Sequence, residues 1–132
     1  MKYKIYSPLF LLALFTFCKP DLRVVSVSCD STTKTIKAVI KNAGNLRSGG
    51  FRVDFRAIEQ PPSPPRYAPR FNTSRPWLKQ GTSVTETATF NSRPQNNYLR
   101  NIRKVQVTVD PKNTIKESNE ENNTKTVPCT FR

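Results

Sequence analysis

Nine carboxylates, three thiols and no histidine make up the reactive inventory of this 132-residue chain. Without histidine there is no Ser-His or Cys-His pair to activate a nucleophile, and no imidazole to hold a metal. Four of the acids, Asp110, Glu117, Glu120 and Glu121, fall in one run, VDPKNTIKESNEENN, among asparagines. A carboxylate pair is the machinery of glycoside hydrolysis. Nothing upstream builds a sugar cleft of aromatic residues to face this run, so no catalytic residue is assigned and the chain is read as a non-enzyme. Calcium is the run's other chemistry. Asp110, Asn113, Glu117, Asn119, Glu120 and Asn122 are hard oxygen donors, of which the ion takes about six to eight. Their spacing departs from an EF-hand loop, which needs a glycine at its sharp turn. The competing reading has these side chains bonding neighbouring backbone N–H groups and stitching a turn from within. That reading is preferred, so no metal ligand and no cofactor is assigned, and calcium-dependent adhesion through Asp110–Asn123 is kept as an alternative.

The elements that position these residues are strands. Val105, Val107 and Val109 alternate with Gln106 and Thr108, the period of a half-buried strand, and the strand stops at Asp110-Pro111. Upstream, Asp21–Cys29 is apolar on one or both sides. In Lys34–Lys41, Ile36, Ala38 and Ile40 face inward. Asn42–Gly50 holds three glycines and two asparagines, residues that tolerate positive φ, and reads as a turn, since its spacing matches neither phosphate-binding fingerprint. In Phe51–Ile58, Phe51, Val53, Phe55 and Ala57 share a large apolar face opposite Arg52, Asp54 and Arg56. Gln60–Pro76 carries six of the eleven prolines, which forbid a central strand and leave room for one short strand at most. Its arginines, Tyr67 and Phe71 make it a candidate recognition loop, or the loop of a secreted enzyme or inhibitor. Trp77 and Leu78 are expected to re-enter the core. Thr82–Phe90 places Val84, Ala88 and Phe90 on one side, with Glu86 unexplained among them. Ile102–Asp110 and Thr124–Phe131 complete the pattern. Short strands between turn signals, without helical periodicity beyond the N-terminus, indicate an all-β sandwich of about seven strands.

The formal net charge is +13, with 22 Lys and Arg against nine acids. A basic balance suits nucleic acid, a membrane surface or an acidic polymer. No nucleic-acid motif accompanies the charge, which is spread along the chain, so nucleic acid is not expected as a partner and an acidic glycan or a protein is. Oligomeric state is not legible.

Four stretches in order resemble one family. PDLRVVSV (Pro20–Val27), VIKNAGNLRSGGF (Val39–Phe51), LKQGTSVTETATF (Leu78–Phe90) and VDPKNTIKESNEENNT (Val109–Thr124) are similar to successive strands and turns of the CARDB domain, the cell-adhesion-related module of bacteria. The resemblance covers roughly Pro20–Val127. It implies an immunoglobulin-like antiparallel sandwich and an extracytoplasmic place, without implying a ligand.

The N-terminus supplies a route to that place. Lys2 and Lys4 precede LFLLALFTF (Leu9–Phe17), an apolar run shorter than the roughly 20 residues a membrane-spanning helix needs. The run ends at Cys18 and resembles a bacterial lipoprotein signal, in which such a cysteine is lipidated and becomes the first mature residue. Phe17 departs from that pattern, which prefers a small residue. The expected plan is a signal at 1–18, a sandwich over 19–132 with a proline-rich insertion at 60–76, and a location on the periplasmic face or cell surface, held to the membrane by lipid. Three cysteines in an exported chain leave one over. Cys29 and Cys129 close the first strand and fall in the last. A Cys29–Cys129 disulfide is expected, between first and last strands running side by side in parallel as immunoglobulin-like sandwiches allow. The alternative is two buried thiols.

Overall fold

The computed structural model of the chain describes residues 18–59, 70–90 and 102–131. Among the described residues seven strands form two antiparallel sheets: β1 (Leu22–Asp30), β2 (Thr35–Asn42) and β5 (Ser83–Thr89) in the order β1-β2-β5, and β3 (Phe51–Glu59), β4 (Arg70–Arg75), β6 (Ile102–Val109) and β7 (Thr124–Pro128) in the order β4-β3-β6-β7. The expected immunoglobulin-like sandwich is the observed fold. Its core lies between the sheets, with Ile36, Ala38 and Ile40 of β2 facing Val53, Phe55 and Ala57 of β3 and the valines of β6. Strand alternation puts each of these sets on one face.

In β1 the register shifts between Val24 and Ser26. This bulge changes which parity faces inward. Leu22 and Val24 are buried before it, and Val27 and Cys29 pack on the core after it, leaving Val25 exposed. A strand with apolar residues on both parities thereby buries nearly all of them. The turn after β1 is closed by Asp30, whose carboxylate accepts from the Thr33 and Thr32 amides and is thereby held below the usual carboxylate range.

Cys29 and Cys129 form a disulfide with 5.9 Å between Cα atoms. The expected side-by-side pairing within a sheet is corrected: β1 and β7 are the edges of different sheets, and the bridge spans the seam between them. They do run parallel, with Val24 N–H donating to Asn122 O near one end and the bridge at the other. The opposite seam, between β4 and β5, is closed by an Arg75–Glu86 ion pair and an edge-to-face contact of Phe71 with Phe90 at 4.7 Å. Glu86, the carboxylate on an apolar face, is thus explained: it is 6% exposed and points across the seam to a guanidinium.

The one short strand for which the prolines of 60–76 left room is β4, which takes the sheet edge beyond β3 where the nearby prolines do no harm; residues 60–69 lie outside the described residues. One further expectation is corrected. Trp77 does not enter the core. It is 50% exposed, with the Arg47 guanidinium 5.5 Å from its ring centroid, while Leu78 beside it is buried.

Candidate functional site

Three regions hold the chain's chemistry, and the strands place two of them at one end of the sandwich. Leu22 pairs with Asn42 and Val53 with Val109, so the start of β1, the β2–β3 turn and the Asp110–Asn123 turn meet there. At the far end Glu59 pairs with Ile102 and Phe90 N–H donates to Lys34 O. The strand ends that bracket 60–69 and 91–101 lie at this far end, away from Pro20.

The near end is built on Asn42, which is fully buried. Its Oδ1 accepts from the Asp21 and Gly44 amides, and its Nδ2 donates to Leu46 O and Leu78 O. One side chain therefore satisfies four backbone groups from three segments. Lys19–Asp21 lies against the turn that follows Asn42: Ala43 N–H donates to Asp21 O, Ser118 N–H to Pro20 O, and Lys19 N–H to Asn45 Oδ1. A Cβ at Gly44 would collide with Lys19 O and stand 2.6 Å from Asp21 N. Gly44 is thus required for close approach and not for the positive φ expected of this turn; among the described glycines only Gly81 has one, at 73°. Cys18 directly precedes this anchored segment and is exposed.

The Asp110–Asn123 turn is stitched by its own polar side chains. Asp110, with φ 48°, accepts from Thr114 N–H and Oγ1–H through one carboxylate oxygen and from Ile115 N–H through the other. Glu117 is buried, one oxygen accepting from Leu22 N–H and the other from Asn123 Nδ2. Burial pushes its carboxyl up to about 7, with Glu120 and Asp110 nearby adding to the rise and the Asn123 and Leu22 bonds opposing it. Glu120 accepts from Glu117 N–H, Asn119 from Glu121 N–H, and Asn122 donates to Asp21. Of the six candidate calcium donors, Asp110, Glu117, Glu120 and Asn119 have oxygens committed to these bonds, Asn122 is held through its Nδ2 while its Oδ1 is buried without a hydrogen-bond partner, and Asn113 sits at φ 51° in the turn. Among the described residues no three side chains of the His, Cys, Asp or Glu types converge as a metal centre requires. The arrangement is that of a clamp holding β1, β6 and β7 together.

The third region is the outward face of the four-stranded sheet, where Arg52, Arg56 and Arg70 line a groove with Lys112. Sequence reading placed Arg52 and Arg56 on one face but did not foresee Arg70, because β4 was hidden within a proline-rich stretch. The Arg75–Glu86 pair was missed for the same reason, though a carboxylate on an apolar parity was its visible signal.

The comparisons agree with this architecture. A search of curated proteins gives no match. A solved CARDB domain from Pyrococcus furiosus, crystallised in complex with di-metal ions, aligns over 100% of both chains with 21% identity and a TM-score of 0.50. A Trichoderma reesei β-D-glucoside glucohydrolase aligns over 85% of this chain but 18% of its own, with 12% identity and a TM-score of 0.28. The CARDB family model matches residues 19–127. These cover every described strand but the end of β7, and the chain belongs to the CARDB family, whose members are non-catalytic β-sandwich modules of adhesion-related type.

Proposed function

We propose that this chain is an exported module tethered to a bacterial membrane through lipid on Cys18, acting by binding or as a structural spacer with no catalytic step of its own. The observation that carries the reading is the division of the three cysteines. Two are bonded to each other across a sandwich seam, a state that persists in oxidising compartments and is rare in the cytosol. The third stands exposed at the point where the chain joins the domain. Lys19 and Pro20 are already bonded to Asn45 and Ser118, so a lipid on Cys18 would hold the near end close to the bilayer with almost no slack. The ends of β3 and β5 would then face away from the membrane. This geometry suits a module that presents its far end and sheet faces to a partner.

The test is a Cys18→Ser chain expressed in a bacterial host. Wild type is expected in the detergent phase on phase partition, with the variant soluble or retained as precursor. A variant that partitions and is processed like wild type contradicts the reading.

Calcium-dependent adhesion is favoured by one observation, the di-metal complex of the similar Pyrococcus domain. In this chain a cation in the Asp110–Asn123 turn would have to displace Thr114, Ile115, Leu22 and Asn123 from the two buried carboxylates. Adhesion measured with and without chelator separates the two readings.

A further inference from the structure

The outward face of β4, β3 and β6 gathers positive charge in a way that folding does not account for. Arg56 of β3 stands directly opposite Arg70 of β4 on one side and Gln106 of β6 on the other. Like charges placed directly opposite on neighbouring strands oppose pairing. Arg52 extends the same row of outward positions along β3. Asp54 lies between the two arginines of β3, opposite Asn72 and Thr108, yet among the described residues the one ion pair is Arg75–Glu86. The Nε of Arg56 is buried with no hydrogen-bond partner, a donor withheld from water without replacement. The arginines and Lys112 line a groove of about 360 Å³ over Gln106 and Thr108. An anion seated in this groove would offset the repulsion between the opposed guanidiniums.

We propose that this face binds a linear acidic polysaccharide, with its anionic groups seated against Arg52, Arg56 and Arg70. Guanidinium forks match carboxylate and sulfate oxygens in bidentate geometry. Between them Asn72, Gln106, Thr108 and Thr124 offer the amides and hydroxyls that sugar hydroxyls bond. The exposed large apolar residues of the described chain are Val25, Leu46, Phe71 and Trp77. None lies on this face, since Phe71 opposes Phe55 on the inward side. The face therefore offers no aromatic platform for nucleic-acid bases and no apolar wedge for lipid. The other sheet's outward face also carries cations, Arg23 opposite Lys41 with Lys37 beyond, but holds no buried unpartnered guanidinium among the described residues. It serves as the control. The inference rests on the proposed role only in requiring that the face be presented outside the cytoplasm.

The experiment uses the full chain in neutral detergent over immobilised heparin, with polygalacturonate as a carboxylated polymer, dextran as a neutral one, and phosphatidylglycerol vesicles as a lipid surface. Binding to the acidic polymers and not to dextran is expected, weakening steeply with salt because exposed charges are screened within about 8 Å at physiological strength. The variant Arg52→Gln/Arg56→Gln/Arg70→Gln should lose affinity by about tenfold or more, while Arg23→Gln/Lys37→Gln/Lys41→Gln, with the same charge removed, should stay within about twofold. Arg56→Gln alone relieves the opposed pair, so its melting temperature should equal or exceed that of wild type while its affinity falls; this single variant tests the same face if the triple variant folds poorly. Equal loss in both triple variants, no loss in the first, no binding at low salt, or preference for vesicles overturns the proposal. Absent binding with Cys18 acylated would remove this ligand and leave the tethered module; intact binding without acylation would do the reverse.

Discussion

Single residues at the near end decide how the chain's start is held. Asn42 and Gly44 work as a pair: one supplies four hydrogen bonds, and the other clears space for Lys19–Asp21 to lie against the turn. Gly44→Ala should destabilise by about 1–3 kcal/mol, the usual result of overpacking, since backbone and not a flexible side chain stands in the way. Urea unfolding measures this, and a value near zero would show that the Lys19–Asp21 segment shifts freely. Glu117 makes a pH-dependent prediction. Its folded pKa, about 7, lies above the ordinary 4.5, so the folded state binds the proton more tightly and stability falls as pH rises between those values. Above pH 7 the full penalty for a buried charge applies, and below 4.5 it is absent. Glu117→Gln should flatten that slope and raise stability at pH 7.5 by on the order of 1–3 kcal/mol. An unchanged slope in the variant would show that Glu117 is not its source. Nothing in the sequence separates Glu117 from Glu120 and Glu121; its burial arises because the turn folds back over Leu22, a contact 95 residues away.

At the scale of elements the sandwich is two edge-to-edge seams, each closed by a side-chain device. The β4–β5 seam uses an ion pair and an edge-to-face ring contact, and the β1–β7 seam uses the disulfide together with the Glu117–Leu22 bond. The bridge joins residues 100 apart. Closing a loop of that length stabilises by about 4–5 kcal/mol in the chain-entropy model. A Cys29→Ala/Cys129→Ala chain should lose a large part of that and unfold at markedly lower denaturant, with β1 the first strand to lose amide protection. Equal midpoints for the two chains would mean the bridge constrains nothing. Six of the seven strands were legible because alternation sets β2, β3 and β6 on unmistakable faces. β4 was legible only as room for one short strand, since its RFNTSR carries no apolar alternation and follows a cluster of prolines. The exchange of parity in β1 was legible only as ambiguity, four apolar residues on both faces, and became a bulge once β2 supplied the register. Which sheet each edge strand joins was not readable at all, because an edge strand's neighbours are set by crossovers and not by its own pattern.

For the whole molecule, the strand order puts the exposed Cys18 and the bonded polar turns at one end, and the strand ends flanking 60–69 and 91–101 at the other. Of the expected signal at 1–18, residues 1–17 lie outside the described residues. We propose that a lipid on Cys18 turns this asymmetry into an orientation, with the near end on the bilayer and the far end away from it. The most direct measurement is mass spectrometry of the chain recovered from bacterial membranes and digested without reduction. The expected result is an N-terminal peptide beginning at Cys18 and carrying the mass of a diacylglyceryl group, beside a linked pair of peptides containing Cys29 and Cys129. A peptide running unbroken through Phe17–Cys18, or an N-terminal Cys18 that alkylates as a plain thiol, would contradict it.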